Sequence, residues 1–248
     1  MATMNMALLK KSEPSMMTAE QAAQRRGYAS QSELALRGML EAFCRERWPG
    51  ARVVHELVMG GRQVRADVVA IDESHIAAFE VKGSYDDTTR LLHQVGMFQL
   101  CVPEVWMVVA ENHDGDAKLI RHLLPSIGLI TAIGMDRHYP FGRDGDRIEF
   151  TVSAEPAPRA VVPEMMLEML WHDELFVCCR DLGRDVGRRA TRGAMIKRLL
   201  DAAEPDELQR QTCAALRGRD ALWRADAPVA ARPDADGEVG HPPLDRPA

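Results

Sequence analysis

Asp67, Glu80 and Lys82 are the residues of this chain whose types and spacing support chemistry. They lie in V-R-A-D-V-V-A-I-D-E-S-H-I-A-A-F-E-V-K-G-S, from Val64 to Ser84. Two short runs rich in valine, alanine and isoleucine, 64–71 and 76–81, flank the polar turn Asp72-Glu73-Ser74-His75, the pattern of an antiparallel hairpin. Asp67 interrupts the first run, and Glu80 and Lys82 close the second at a spacing of two, which puts both on one strand face. Pairing Ile71 with Ile76 sets Val69 opposite Ala78, Asp67 opposite Glu80 and Arg65 opposite Lys82. The three polar residues then converge at one hairpin end, while Ala66, Val68, Ala77, Phe79 and Val81 form an apolar opposite face. Two carboxylates within about 5 Å repel unless a cation sits between them. Hard oxygen ligands on an open site suit Mg2+, which uses one or two carboxylates and keeps waters that a substrate can displace.

Asp67 followed by Glu80-Val81-Lys82 resembles the signature of the PD-(D/E)xK nucleases, the restriction endonuclease-like superfamily. Ala66 stands where the name motif has proline, a departure that leaves the ligands untouched. R-A-D-V-V-A-I, F-E-V-K-G-S and the spacing of Asp86, Arg90-Leu91 and Gln94 further resemble an uncharacterised bacterial and prophage family related to the MmcB-like DNA repair proteins, over Ser32 to about Arg219. The resemblance implies metal-dependent hydrolysis of DNA phosphodiesters, with Mg2+, or Mn2+ in its place, held by Asp67, Glu80 and the backbone carbonyl of Val81. Lys82 would position the attacking water or neutralise charge on phosphorus. A second metal would recruit a glutamate from the preceding helix, and the resemblance favours Glu33 over Glu41. The number of metals, the DNA form and the choice between endo- and exonuclease stay open. A catalytically silent DNA-binding or adaptor protein that keeps the fold is the alternative, which the presence of all three core residues disfavours. No Gly-rich phosphate loop or serine elbow is present.

The elements around the hairpin must position these groups. Ser30-Gln31-Ser32-Glu33 has the form of a capping box opening a helix to about Arg47, with Leu36, Met39, Leu40 and Phe43 as its core stripe. Glu33, Arg37 and Glu41 make a second stripe, either a salt-bridge ladder through Arg37 or the source of one metal ligand, since Glu33 and Glu41 lie about 12 Å apart. Residues 53–59 suggest a strand, and Gly60-Gly61 a two-residue turn. That turn sets Glu56 opposite Arg65 and Val54 opposite Asp67, leaving Glu56 as Arg65's ion-pair partner or as a ligand. After Gly83-Ser84, Asp86-Asp87 is expected to start a helix to about Cys101 with Leu91, Val95 and Phe98 buried. Arg90 and Gln94 share another face, available to a phosphate or nucleotide edge. The apolar run 105–110 predicts a buried strand parallel to the Glu80 strand, followed by a helix over 118–124 and strands over 128–133 and 147–152. The expected fold is therefore α/β, a restriction endonuclease-like core in which helices flank a mixed central sheet, followed by a small helical C-terminal unit.

At 248 residues and 46% hydrophobic content, the chain can bury one substantial core and a small second one. Its boundaries are expected at a disordered leader (1–18), a nuclease-like domain (19–153), a Pro-rich linker near 154–158, a helical region (159–224) and a disordered tail (225–248). Pro163, Thr191 and Pro205 are helix openers in the helical region. Five cysteines, two of them adjacent, support neither a disulfide framework nor a zinc site. No apolar run reaches the roughly 20 residues of a membrane span, and the chain reads as cytoplasmic. The formal net charge of −6 excludes coating nucleic acid by charge alone, so DNA must meet a local basic surface. Arg188, Arg189 and Arg192, within a basic run from Arg180 to Arg198, are candidates for it or else ordinary solvated helix residues. The oligomeric state is open, a homodimer included.

Overall fold

Aliphatic and β-branched runs favour extended backbone, and here six of them pair into one mixed sheet in the order in which they occur in the chain. The structure, a computed structural model, describes residues 19–140, 148–184, 186–220 and 226–229. Helix α1 (Ala19–Arg47) precedes strands β1 (Arg52–Met59), β2 (Val64–Ile71) and β3 (Ile76–Lys82). Helix α2 (Leu91–Cys101) leads to β4 (Glu104–Ala110), and α3 (Asp114–Leu123) leads to β5 (Gly128–Ile133). Strand β6 (Glu149–Ala154) is followed by helices α4 (Pro163–Leu167), α5 (His172–Asp181), α6 (Arg192–Leu200) and α7 (Pro205–Gly218). β1, β2 and β3 are antiparallel neighbours, β3, β4 and β5 run parallel, and β6 closes the far edge antiparallel. This is the expected α/β class with a mixed sheet, flanking helices and C-terminal helices.

The β2–β3 register is the expected one, from Ile71 opposite Ile76 to Val68 opposite Phe79. The β1–β2 register is not. Gly60, Gly61 and Arg62 all have φ near +60 to +73°, and Gln63 completes a four-residue connection closed by the pair Met59–Val64. The slip of two residues puts Val58 opposite Arg65 and Val54 opposite Val69.

Two other boundaries move for local reasons. α1 begins at Ala19, so Ser30–Glu33 lies inside it. Ala19-Glu20-Gln21-Ala22-Ala23-Gln24 are strong helix formers that carry the helix through the expected start. α2 begins at Leu91 because the Asp86 carboxylate accepts the Gly83 N–H (2.7 Å) and that of Asp87 accepts the Thr89 N–H (2.8 Å). Such side-chain bonds to nearby backbone compete with the helical ladder.

The sheet is apolar on both faces. One face packs against α1 through Val53, Val68, Phe79, Trp106, Val108 and Ile130 with Leu36, Leu40 and Cys44. The other packs against α2 through Val54, Val69, Ala78 and Met107 with Leu91, Val95 and Phe98, and the same cluster continues into Met166, Leu167, Leu175, Leu199 and Leu216. The C-terminal helices therefore extend the main core. The Pro-rich stretch is held along the body: the N–H groups of Ala157, Arg159 and Val162 donate to the carbonyls of Ser126, Pro103 and Leu100. Buried Arg52 fastens α7 to β1, donating from Nη1 to the carbonyls of Leu216, Arg217 and Arg219 at 2.6–2.9 Å. Asp226 accepts from the Val53 N–H and from Arg45 (2.9 Å each), so residues 226–229 dock on β1 where a disordered tail was expected. The expected leader 1–18 and the rest of the tail lie outside the described residues. All five cysteines are free and buried. Among the described residues, no helix is long and apolar enough to cross a membrane.

One core across the Pro-rich stretch has a direct test. A chain ending at residue 158 loses α4–α7 and exposes their contact surface on α2 and the sheet, at about 1.5–3 kcal/mol per large apolar side chain. It should show no cooperative thermal transition, whereas a sharp transition with native near-UV circular dichroism would establish an independent N-terminal domain.

Candidate active site

At one end of the central strands, side chains from α1, β1, β2, β3, the loop after β3 and α2 line an open cleft of about 720 Å³. Glu33, Arg37, Glu56, Asp67, Glu80, Lys82, Asp86 and Gln94 line it, with Arg62, Arg65, Arg90 and His93 exposed around it. Asp67 Oδ2 accepts the Val81 N–H at 2.7 Å and Oδ1 accepts from Arg37 Nη2 at 2.8 Å. Glu80 Oε1 accepts from Lys82 Nζ at 2.7 Å and from Gln94 Nε2 at 2.6 Å. Glu80 Oε2 is buried and has no hydrogen-bond partner.

A break in strand alternation brings these groups together. Val64 and Ala66 pack on the α2 face, yet so do Val69 and Ile71, while Val68 and Ala70 pack on the α1 face. The alternation of β2 therefore slips by one residue around Asp67. β1 slips at the matching place, between Val54 and Leu57, and its ladder skips Glu56, which has φ +60°. Positive φ is unfavourable for a glutamate, and such backbone concentrates at functional sites. Ala66 accordingly leaves the face expected for it beside Val68 and Phe79. The slip lets Asp67 meet Arg37 from α1, while Glu80 meets Gln94 from α2.

Arg37 is the residue that sequence reasoning underrated. Expected to bridge Glu33 and Glu41 on a helix surface, it is only 6% exposed and sits among three carboxylates. Its Nη2 lies 2.6 Å from Glu33 Oε1, 2.5 Å from Glu56 Oε1 and 2.8 Å from Asp67 Oδ1, and Nη1 donates to the Asp67 carbonyl at 2.9 Å. Glu41 turns instead to His55 (3.0 Å) and Arg45 (3.8 Å) and does not line the cleft, so Glu33 is the helix glutamate at the site. Its spacing of four from Glu33 was the available signal; the partners on β1 and β2 depended on strand irregularities. Asp86, expected to start a helix, is the other residue gained.

Burial and the nearby Glu80 carboxylate push Asp67 up to about 7, against the opposing Val81 N–H and Arg37. Burial also raises Glu80, with Lys82 opposing it. For Lys82, burial favours the neutral amine, but Glu80 outweighs it and holds the ammonium above its ordinary value. Half-buried Asp67 and buried Glu80, with its orphaned oxygen, are hard oxygen donors of the kind that a divalent cation such as Mg2+ takes. Glu33, Glu56 and Asp67 also have oxygens within 4.8 Å of one another, but Arg37 already binds all three.

The remaining expected residues divide. Arg65 pairs with Glu56 despite the changed register, and Arg90 lines the cleft beside Gln94. Arg188 and Arg189 are exposed in a turn outside the cleft lining, and Arg192 Nη2 is engaged by Glu168 (2.9 Å to its carbonyl, 3.0 Å to its carboxylate).

The family model described as Bacteriophage P4 protein cII matches residues 37–235, most of the chain, and the protein belongs to that family. No curated protein and no solved structure matches it.

The raised Asp67 carboxyl makes stability depend on pH. An unfolded aspartate ionises near about 3.9. With a folded value of about 7, the native state binds the proton more tightly, so this contribution is complete below the unfolded value and is lost as pH rises through 7. In metal-free buffer the urea midpoint should fall between pH 5 and pH 8, and fall less in Asp67→Asn. Equal falls would show that Asp67 ionises in its ordinary range.

Proposed function

We propose that this member of the bacteriophage P4 protein cII family is a metal-dependent nuclease of the PD-(D/E)xK type that hydrolyses DNA phosphodiester bonds with Mg2+ or Mn2+. We place it in the cytoplasm, in repair, phage or defence-related DNA processing. One observation carries this: Asp67, Glu80 and Lys82 converge in an open cleft rimmed by Arg62, Arg65, Arg90 and His93.

Asp67 and Glu80, with the Val81 carbonyl, would hold the ion, which when bound supplies positive charge against the scissile phosphate. The chain's own groups do the rest. Gln94 and Lys82 both bind Glu80 Oε1 and leave its second oxygen free. Glu80 holds the Lys82 ammonium above its ordinary value, which suits Lys82 to orient water or to neutralise charge developing on phosphorus. Arg62 and Arg90 make no ion pair among the described residues, and with Arg65 they offer contacts to flanking phosphates. These would fix register along a strand without reading its sequence.

One observation favours the second reading, a catalytically silent DNA-binding or adaptor protein: Arg37 already occupies Asp67 Oδ1. Purified protein assayed on linear, nicked, branched and single-stranded DNA with Mg2+, Mn2+ or chelator separates the two. Cleavage should require the metal, and Lys82→Ala should reduce it by about 10²–10³-fold while binding persists. Binding without cleavage under all conditions would leave the adaptor.

The rim has its own measurement. Replacing Arg62 and Arg90 with alanine should lower the slope of log affinity against log salt by about 0.9 per lost duplex phosphate contact. Arg188→Ala with Arg189→Ala tests the C-terminal surface, and the steeper loss there would move the DNA path off the cleft.

A further inference from the structure

We infer that Arg37 is the resident cation of the Glu33–Glu56–Asp67 cluster, so that this cluster takes no divalent ion and the site holds at most one, on the Asp67–Glu80 side. The inference deepens the metal-dependent reading only in its count of ions. It rests on how Arg37 is held.

A single nitrogen, Arg37 Nη2, contacts one oxygen of each carboxylate at 2.5–2.8 Å. It is the same set of residues whose oxygens lie close enough to share an ion. The guanidinium cannot step aside cheaply. Nε donates to Glu33 at 2.9 Å and Nη1 to the Asp67 carbonyl at 2.9 Å, and the residue is 6% exposed on the buried side of α1. Moving it would leave buried acceptors and a buried charge unpartnered. A divalent ion entering beside it would meet a fixed positive charge at contact distance.

Arg37 is also a positioning residue. Bonds to both the carbonyl and the carboxylate of Asp67 fix that side chain in the irregular stretch of β2, where ladder pairing does not hold it. Glu80 lies outside this arrangement and keeps an unpartnered oxygen. The cation that α1 supplies is thus covalently attached, and the exchangeable one is confined to the Asp67–Glu80 side.

The test is Mn2+ stoichiometry on the full chain, read from free Mn2+ by electron paramagnetic resonance. The wild type should bind one ion, Arg37→Met two, and Arg37→Lys, which restores a cation, one again. Two ions in the wild type, or no gain in a folded Arg37→Met, would overturn the inference. No ion in the wild type and one in Arg37→Met would uphold it while sinking the metal-dependent reading. Where Arg37→Met does not fold, the wild type still decides: the Arg37 Nε–H resonance should stay slowly exchanging and unshifted at saturating Mg2+. Its release or loss on adding Mg2+ would show that the ion displaces the guanidinium.

Discussion

The structure depends on keeping two carboxylates, Asp67 and Glu80, inside a protein. An ionised carboxylate removed from water must be paired and hydrogen-bonded or it takes up a proton. Here the compensating groups come from three elements: Arg37 from α1, the Val81 N–H and Lys82 from β3, and Gln94 from α2. The position of two helices relative to the sheet is therefore written into the site. Compensation is incomplete at Glu80, where one buried oxygen has no partner and both acids are driven toward protonation. Local stability is forgone in the interior of the cleft, as expected where a site is built to receive something.

The rest of the chain supplies a rigid platform. β3, β4 and β5 are buried on both faces, and the parallel pairing from Ala77–Glu104 to Lys82–Val109 ends at Lys82. The site thus lies at the C-terminal end of β3. α4–α7 continue the cluster beneath α2, so they brace the helix that carries Gln94 and begins just after Arg90. Arg52 ties the last carbonyls of α7 to β1, the strand that carries Glu56. A cation at a helix C-terminus is favourable electrostatically as well as through its hydrogen bonds.

What the sequence made legible was what hydrophobic period and turn chemistry control. The continuous run 105–110 and the turn at Asp72–His75 led to β4 and to the correct β2–β3 register. Thr191 caps α6 through its hydroxyl, and Pro163 and Pro205 open α4 and α7. That register pointed to the convergence of Asp67, Glu80 and Lys82, although the ladder stops at Val68–Phe79 and the expected Asp67–Glu80 and Arg65–Lys82 pairs are not part of it. What was not legible depended on backbone that breaks the period. Two adjacent glycines do not specify whether Arg62 joins them at positive φ, so the first hairpin slipped by two residues. Nothing in Glu56 announces a left-handed conformation, and only the paired slip at Glu56 and Asp67 brings Arg37 into contact with both. The docking of residues 226–229 rests on Asp226 and on the Val229 N–H donating to the Arg217 carbonyl, in a stretch without apolar pattern.

The same layout explains how an acidic chain can present a surface to a polyanion. The formal charge of −6 counts Asp67 and Glu80 as fully ionised, although burial raises both, and it does not show that Glu33 and Glu56 share the Arg37 cation inside the cleft. Charge more than about 8 Å away through physiological salt is largely screened. A phosphate at the mouth of the cleft is therefore governed by the groups within that distance, chiefly exposed Arg62, Arg65 and Arg90, with Asp87 opposing them. Deeper in, the carboxylates repel the same phosphate until a cation screens them. On the proposed nuclease reading, acids within and arginines without would make strand capture and approach to Asp67 two separate electrostatic steps, of which only the second would call for a cation.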